Sequence, residues 1–258
     1  MTVPLFRAMR SQRRKLAVVT AYDFTSAVIA DEAGLDCILV GDSLGMVVQG
    51  LATPLPVSLD EMVYHVKCVS RGVKRALIVA DLPFLTYQVS PGQAVRNAGK
   101  LLQAGAHAVK LEGGERMLGA LRALERADIP VMGHIGLTPQ SVHRMGGFKV
   151  QREEEALLAD ARAVESTGAF SMVIEGVPSE LAAKLTEAVS IPTIGIGAGP
   201  SCDGQVLVWH DLLGLYDGLR PKFVKRYAEL GALAKTALAE YVREVRSGEF
   251  PADENGFR

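Results

Sequence analysis

Ala108-Val109-Lys110-Leu111-Glu112-Gly113-Gly114 is a short β-like run that ends in two charges and two glycines. A strand alternates its faces, so Lys110 and Glu112 point one way while Val109 and Leu111 point the other. Charges aimed at the inner face of a strand are costly unless something pairs with them. Other apolar runs in the chain stop in the same manner, at Asp42-Ser43, Asp81, His134 and Glu175. A chain that repeatedly ends buried strands in acids and bases is building a single reactive centre.

Outward from that run, short β-rich segments alternate with longer helical ones. Strands are predicted at residues 17–21, 37–41, 77–80, 108–112, 131–134, 172–175, 193–196 and 205–209. Each is a short, continuous apolar run, which suits parallel strands covered on both faces. Helical patterns lie between them. One runs from Phe24 to Ala33 and stops at Gly34. Another opens at Ser58 with Glu61 at capping-box spacing. A third starts at Ser90-Pro91 and runs to Gly105. Helices over 115–126, 153–167 and 179–189 complete the pattern. Such βα alternation over a chain of 258 residues predicts an α/β fold, a (β/α)₈ TIM barrel. A doubly wound sheet would use fewer strands. Two pieces fall outside the repeat. Residues 3–15 are expected to form an N-terminal helix capping the barrel's bottom, and residues 222–245 a long C-terminal amphipathic helix packed on the barrel or on another subunit. No linker, composition break or internal repeat divides the chain, so residues 1–258 are expected to form one domain.

Composition narrows the function. The hydrophobic fraction is 48%, the charged fraction 22% and the net charge -1, a balance that carries no electrostatic footprint for nucleic acid or an anionic membrane. The one basic cluster, Arg10 to Lys15, reads as the solvated face of the N-terminal helix. No apolar run is long enough to span a bilayer, and the N-terminus lacks a signal-peptide layout. Cys37, Cys68 and Cys202 are odd in number and lack metal-type spacing, which suits buried thiols in a reducing compartment. The expectation is a cytoplasmic enzyme.

In a parallel barrel the C-terminal strand ends share one face, where active sites sit. Asp42, Ser43, Asp81, Lys110, Glu112, His134 and Glu175 thereby become neighbours. Carboxylates without a cysteine or histidine cluster suit a hard cation held by oxygens, such as Mg²⁺, with Asp42, Asp81 and Glu112 as candidates. Lys110 would neutralise a substrate carboxylate or a developing enolate, or else form a structural ion pair with Glu112 or Asp81. Glu175 ends the very apolar run Met172-Val173-Ile174, where burial would raise its pKa and suit it as a general base. Its other reading is a carboxylate that accepts backbone N–H groups. His134 is a substrate or proton-relay contact, or a satisfied core histidine. Gly195-Ile196-Gly197-Ala198-Gly199 is a tight turn or a phosphate loop. Gly146-Gly147-Phe148-Lys149 is polar and flexible enough for a lid.

Six blocks carry a resemblance to a known family. They are Thr20-Ala21-Tyr22-Asp23, Val40-Gly41-Asp42-Ser43-Leu44-Gly45-Met46, Ala80-Asp81-Leu82-Pro83-Phe84, Val109-Lys110-Leu111-Glu112-Gly113-Gly114, Gly133-His134-Ile135-Gly136-Leu137-Thr138-Pro139-Gln140 and Ile194-Gly195-Ile196-Gly197-Ala198-Gly199. In order, over nearly the whole chain, they closely resemble the ketopantoate hydroxymethyltransferases. The resemblance implies a (β/α)₈ barrel that makes ketopantoate for pantothenate and coenzyme A biosynthesis, with 5,10-methylenetetrahydrofolate as co-substrate and 3-methyl-2-oxobutanoate as acceptor. By position it implies a magnesium site at Asp42, Asp81 and Glu112, keto-acid contacts at Asp42, Ser43, Asp81 and Lys110, and Glu175 as proton acceptor. It also implies a homodecamer. The chemistry is coherent with these residue types: a 2-oxo acid can chelate Mg²⁺, which makes its C3–H acidic enough for Glu175 to remove.

The departures are small: Val150-Gln151-Arg152-Glu153 follows the lid where another glycine is expected, and Gly176 follows the base. One rival is a barrel lyase of the isocitrate lyase and phosphoenolpyruvate mutase type, which resembles this pattern but places a reactive cysteine on an active-site loop. The other is a non-catalytic barrel, in which the acids would be dispensable.

Overall fold

In the computed structural model, which describes residues 1–257 except 217, 219 and 220, every expected strand is present within two residues of its expected ends. The strands are β1 (Leu16–Thr20), β2 (Cys37–Val40), β3 (Leu77–Asp81), β4 (Ala108–Lys110), β5 (Val131–Gly136), β6 (Ser171–Glu175), β7 (Thr193–Ile196) and β8 (Gly204–Leu207). They close in chain order into one all-parallel barrel, β8 pairing with β1 in the register Leu16 to Gly204.

Capping chemistry sets the helices between them. α1 is Val3–Ala8, and α2 (Phe24–Glu32) begins at an Asp23–Ser26 capping box. A short α3 (Leu44–Val47) precedes α4 (Leu59–Gly72), which has the expected Ser58–Glu61 box. α5 (Pro91–Gln103) starts at Ser90 with Pro in its first turn. α6 (Leu118–Arg126), α7 (Val142–Met145), α8 (Glu154–Ser166) and α9 (Ser179–Glu187) follow. A turn rather than a helix joins β7 to β8, with positive φ at Gly197 and Gly199.

Inside the barrel, alternate positions stack in layers. Leu16 and Val18, Cys37 and Leu39, Leu77 and Val79, Ala108, Met132, Val173, Ile194 and Val206 form one buried cluster. Two positions further along the same faces come Asp81, Lys110, His134 and Glu175. An apolar stack therefore supports a charged top layer, and the strand period of two is what separates them.

The opposite end is closed by the N-terminal segment, in a way the sequence only half indicates. Phe6 and Met9 enter the same cluster, and Phe6 meets Phe170 edge-on with ring centroids 5.7 Å apart. The helix ends at Ala8, however, not near residue 15. Its basic cluster is also not simply solvated. The Arg10 guanidinium donates to Asp203 Oδ2 at 2.6 Å, Thr186 O at 2.6 Å and Ile191 O at 3.0 Å, and Lys15 Nζ donates to Cys202 O at 2.6 Å. Those carbonyls and the Asp203 carboxylate reward a turn that presents the basic side chains inward over a longer helix.

The chain forms two compact units, Met1–Val208 and Trp209–Arg258. The first holds all eight strands. The second holds α10 (Trp209–Leu212) and α11 (Leu230–Ser247), which starts later than expected and ends at Gly248 in the left-handed conformation. None of the α11 side chains is buried, and Leu233, Leu238 and Tyr241 are exposed.

Phe6→Ala leaves a cavity the size of a phenyl ring between the barrel floor and Phe170. Its expected cost is about 3–5 kcal/mol, read as a lowered midpoint at unchanged m-value in urea unfolding.

Candidate active site

Each expected residue occupies the C-terminal end of the barrel. Asp81 closes β3 and Lys110 closes β4, and the two are register partners. Their side chains meet at 2.9 Å, both nearly inaccessible. Asp42 lies just past β2, and its backbone N–H donates to Asp81 Oδ2 at 3.1 Å. Ser43 is half-buried and pairs with the Tyr22 hydroxyl at 2.9 Å. Glu112 lies beyond the end of β4 but stays buried at 6% exposure.

His134 sits on β5 between two of these groups. Lys110 Nζ is 3.3 Å from its Nδ1, and Glu175 Oε2 is 3.2 Å from its Nε2, turned off the hydrogen-bond line. Burial first, and then the Lys110 charge, hold the imidazole below its ordinary pKa. It is therefore neutral at pH 7. With the ammonium as donor, Nδ1 accepts and the imidazole proton is assigned to Nε2, facing Glu175. Glu175 closes β6 with its side chain 18% exposed, six times His134, so of the two it is the one open to the mouth of the barrel.

Electrostatics explain the clustering. Burial alone would lower the Lys110 pKa, but Asp81, Glu112 and Asp42 override it and raise the value, so the ammonium persists. Burial and the neighbouring Asp81 push Asp42 up to about 7, and burial with Asp42 pushes Glu112 well above the usual carboxylate range. Three buried acids share one ammonium beside a neutral imidazole, so the pocket is short of positive charge. Its spare donors are all carboxylate oxygens, and the chemistry fits a hard divalent cation.

The acids do not form a closed metal cage: among the described residues no three His, Cys, Asp or Glu side chains are grouped to hold one ion. Gln140, which sequence reasoning did not single out, joins them. Its side-chain amide donates to Asp42 Oδ2 at 2.8 Å and to Leu82 O at 3.0 Å, and its backbone N–H donates to Glu112 Oε2 at 2.9 Å. Tyr87, also missed, donates its hydroxyl to Gln140 Oε1 at 2.8 Å and accepts from the Glu112 N–H at 3.1 Å. Gln140 stands between Asp42 and Glu112 and bonds one oxygen of each carboxylate. Gln140 lies inside a recognisable block, but no spacing rule marks a glutamine whose partners are on other strands.

The comparisons with known proteins agree. The sequence profile described as ketopantoate hydroxymethyltransferase matches residues 1–253. This chain belongs to the ketopantoate hydroxymethyltransferase family. Among its relatives, the protein named 3-methyl-2-oxobutanoate hydroxymethyltransferase in Pelobacter propionicus is 55% identical, over 99% of this chain and 97% of its own. The protein of the same name in Moorella thermoacetica is 54% identical, over 100% of this chain and 97% of its own. By membership, the chain is a transferase. Among solved structures, phosphonopyruvate hydrolase aligns with TM-score 0.67 at 13% identity, over 100% of this chain and 92% of its own. A 2,3-dimethylmalate lyase of the phosphoenolpyruvate mutase and isocitrate lyase superfamily aligns with TM-score 0.63 at 18% identity, over 100% of this chain and 92% of its own. These two share the barrel.

The thiols do not support a lyase reading. Cys37 is part of the apolar core of β2, where burial pushes its thiol up, and Cys202 is buried beside Thr186. Cys68 lies within α4. No helix among the described residues is long and apolar enough to cross a membrane.

Asp42 has a folded pKa near 7 against an ordinary 3.8, so its ionisation works against the fold. The folded state holds the extra proton between those values, and this contribution to stability falls as pH rises through the window. In chelator, Asp42→Asn is therefore expected to gain melting temperature relative to the parent between pH 4 and pH 7.5, as followed by calorimetry. An offset independent of pH contradicts the assignment.

Proposed function

We propose that the protein transfers a hydroxymethyl group from 5,10-methylenetetrahydrofolate to 3-methyl-2-oxobutanoate, giving ketopantoate for pantothenate and coenzyme A biosynthesis. The observation that carries this reading is the charged layer itself: a buried Lys110 among three acids, with Glu175 beside His134 and open to the mouth. The names of the relatives, which specify 3-methyl-2-oxobutanoate, support the acceptor.

The acceptor carries a carboxylate and an adjacent keto oxygen. Lys110, held ionised by Asp81, meets that negative charge, and the Ser43 hydroxyl orients the acid beside Asp42. Asp42, Asp81 and Glu112 would hold a Mg²⁺ ion. Such an ion, when bound, supplies Lewis-acid polarisation of the keto acid. Glu175 takes the C3 proton, with His134 Nε2 3.2 Å from its carboxylate. The electron pair left at C3 spreads onto the keto oxygen opposite Lys110. C3 then bonds to the methylene carbon of the donor as one of its two C–N bonds breaks, and the freed nitrogen takes the proton held by Glu175. Water replaces the second nitrogen at that carbon, leaves its oxygen as the hydroxyl and passes its other proton to that nitrogen, so tetrahydrofolate leaves. The apolar stack beneath the layer excludes water from below, which strengthens every charge interaction above it.

The proposal includes a cytoplasmic homodecamer. The exposed Leu233, Leu238 and Tyr241 of α11 are the kind of surface that assembly covers, and light scattering on the purified protein reads the mass. Purified protein given both substrates is expected to make ketopantoate and to lose the activity in chelator. No metal-dependent product overturns the proposal. Glu175→Gln is expected to lower C3–H exchange in deuterated water by at least about 100-fold, and full exchange removes Glu175 as the base.

A further inference from the structure

A second cavity opens beside the acid cluster, with a volume of about 320 Å³. Tyr87, Glu112 and Gln140 line it on the side shared with the charged layer. Phe84, Met117 and Leu55 give it an apolar wall, and Arg116, His143 and Arg144 give it a basic one. Asp81 and Lys110, which meet the keto acid, do not line it. A smaller cavity of about 200 Å³ lies at the N-terminal ends of β5 and β6, away from this chemistry.

The basic wall has no internal explanation. Arg116 is on the turn Glu115–Met117 and Arg144 is on α7, and both are exposed. Neither guanidinium pairs with a carboxylate among the described residues, although the exposed Arg243 does. Two unpaired guanidinium groups facing one concavity are poised for an anion with more than one oxygen to share. The apolar wall beside them suits flat rings, and a cavity of this size is in the range that takes a small organic ligand rather than a lone ion.

We propose that this cavity is the donor subsite: it takes a reduced pterin whose ring system lies along the Phe84 and Met117 wall and whose glutamate carboxylates meet Arg116 and Arg144. The assignment rests on the transfer reaction proposed above and adds to it the residues that hold the one-carbon donor. It also gives the Tyr87–Gln140 pair a position between the two substrates. That pair lines the edge of the cavity beside which the methylene carbon would meet the acceptor.

The test is a comparison of donors on the whole protein. Arg116→Gln, Arg144→Gln and the double variant are assayed with 5,10-methylenetetrahydrofolate and with the corresponding tetrahydropteroate, which lacks the glutamate. Each lost charge-assisted contact is expected to raise the donor KM about tenfold, while the KM for 3-methyl-2-oxobutanoate stays within about twofold. The parent is expected to prefer the glutamate-bearing donor, and the double variant to treat both alike. Unchanged donor KM and retained preference in the double variant overturn the subsite. The two readings fail separately. A parent that binds tetrahydrofolate in calorimetry through Arg116 and Arg144, yet makes no ketopantoate, overturns the reaction and keeps the cavity. A parent that makes ketopantoate with the arginines irrelevant overturns the cavity alone.

Discussion

The contact between Lys110 and Asp81 is the constraint on which the rest of the upper barrel depends. It is a register pair on adjacent strands, 2.9 Å apart and almost inaccessible. A buried ion pair stabilises little by itself, but removing one partner leaves an uncompensated charge, at a cost of about 3–5 kcal/mol. The pair is also outnumbered, because Asp42 and Glu112 crowd the same ammonium. Burial first and the Lys110 charge second keep His134 neutral, burial first and Asp81 second raise the pKa of Asp42, and the amide of Gln140 meets the Asp42 carboxylate. A site so arranged is receptive to added positive charge.

The fold and four of the site positions were legible in the sequence for one reason. Strand periodicity is a local rule, and Asp81, Lys110, His134 and Glu175 each continue an alternation begun by apolar residues two positions earlier. Asp42 and Glu112 lie just past that pattern and were still found, because strand ends share a face in a parallel barrel. Gln140, Tyr87 and Tyr22 were not found. What they do is set by partners on other elements, which no window of sequence displays. Arg10 was misread for the same reason: its acceptors are more than 170 positions away. The boundaries that slipped, at the ends of α1 and the start of α11, are places where terminal contacts rather than periodicity decide the length.

Phosphonopyruvate hydrolase and 2,3-dimethylmalate lyase carry the same barrel at 13% and 18% identity. The frame does not choose the reaction. Here the choice resides in the top layer and in the segments above it, including the stretch after β5 that carries Gln140, His143 and Arg144. One end of that stretch touches the acids and the other faces the basic cavity, so the loop that completes the acid pocket also shapes its neighbour.

The seam between β1 and β8 has a consequence for how the protein is made. Leu16 pairs with Gly204, and Arg10 reaches Asp203 across 193 positions. On the ribosome β1 emerges early and waits with one edge unpaired until β8 has been synthesised. Closure of so long a loop is slow, because its entropy must be lost before the last contacts form. Throughout that interval Phe6 and Met9 have no floor to seal, and an apolar edge stays open to other chains. The vulnerable period of this molecule is therefore the end of its own translation, when one missing strand leaves the barrel an open sheet.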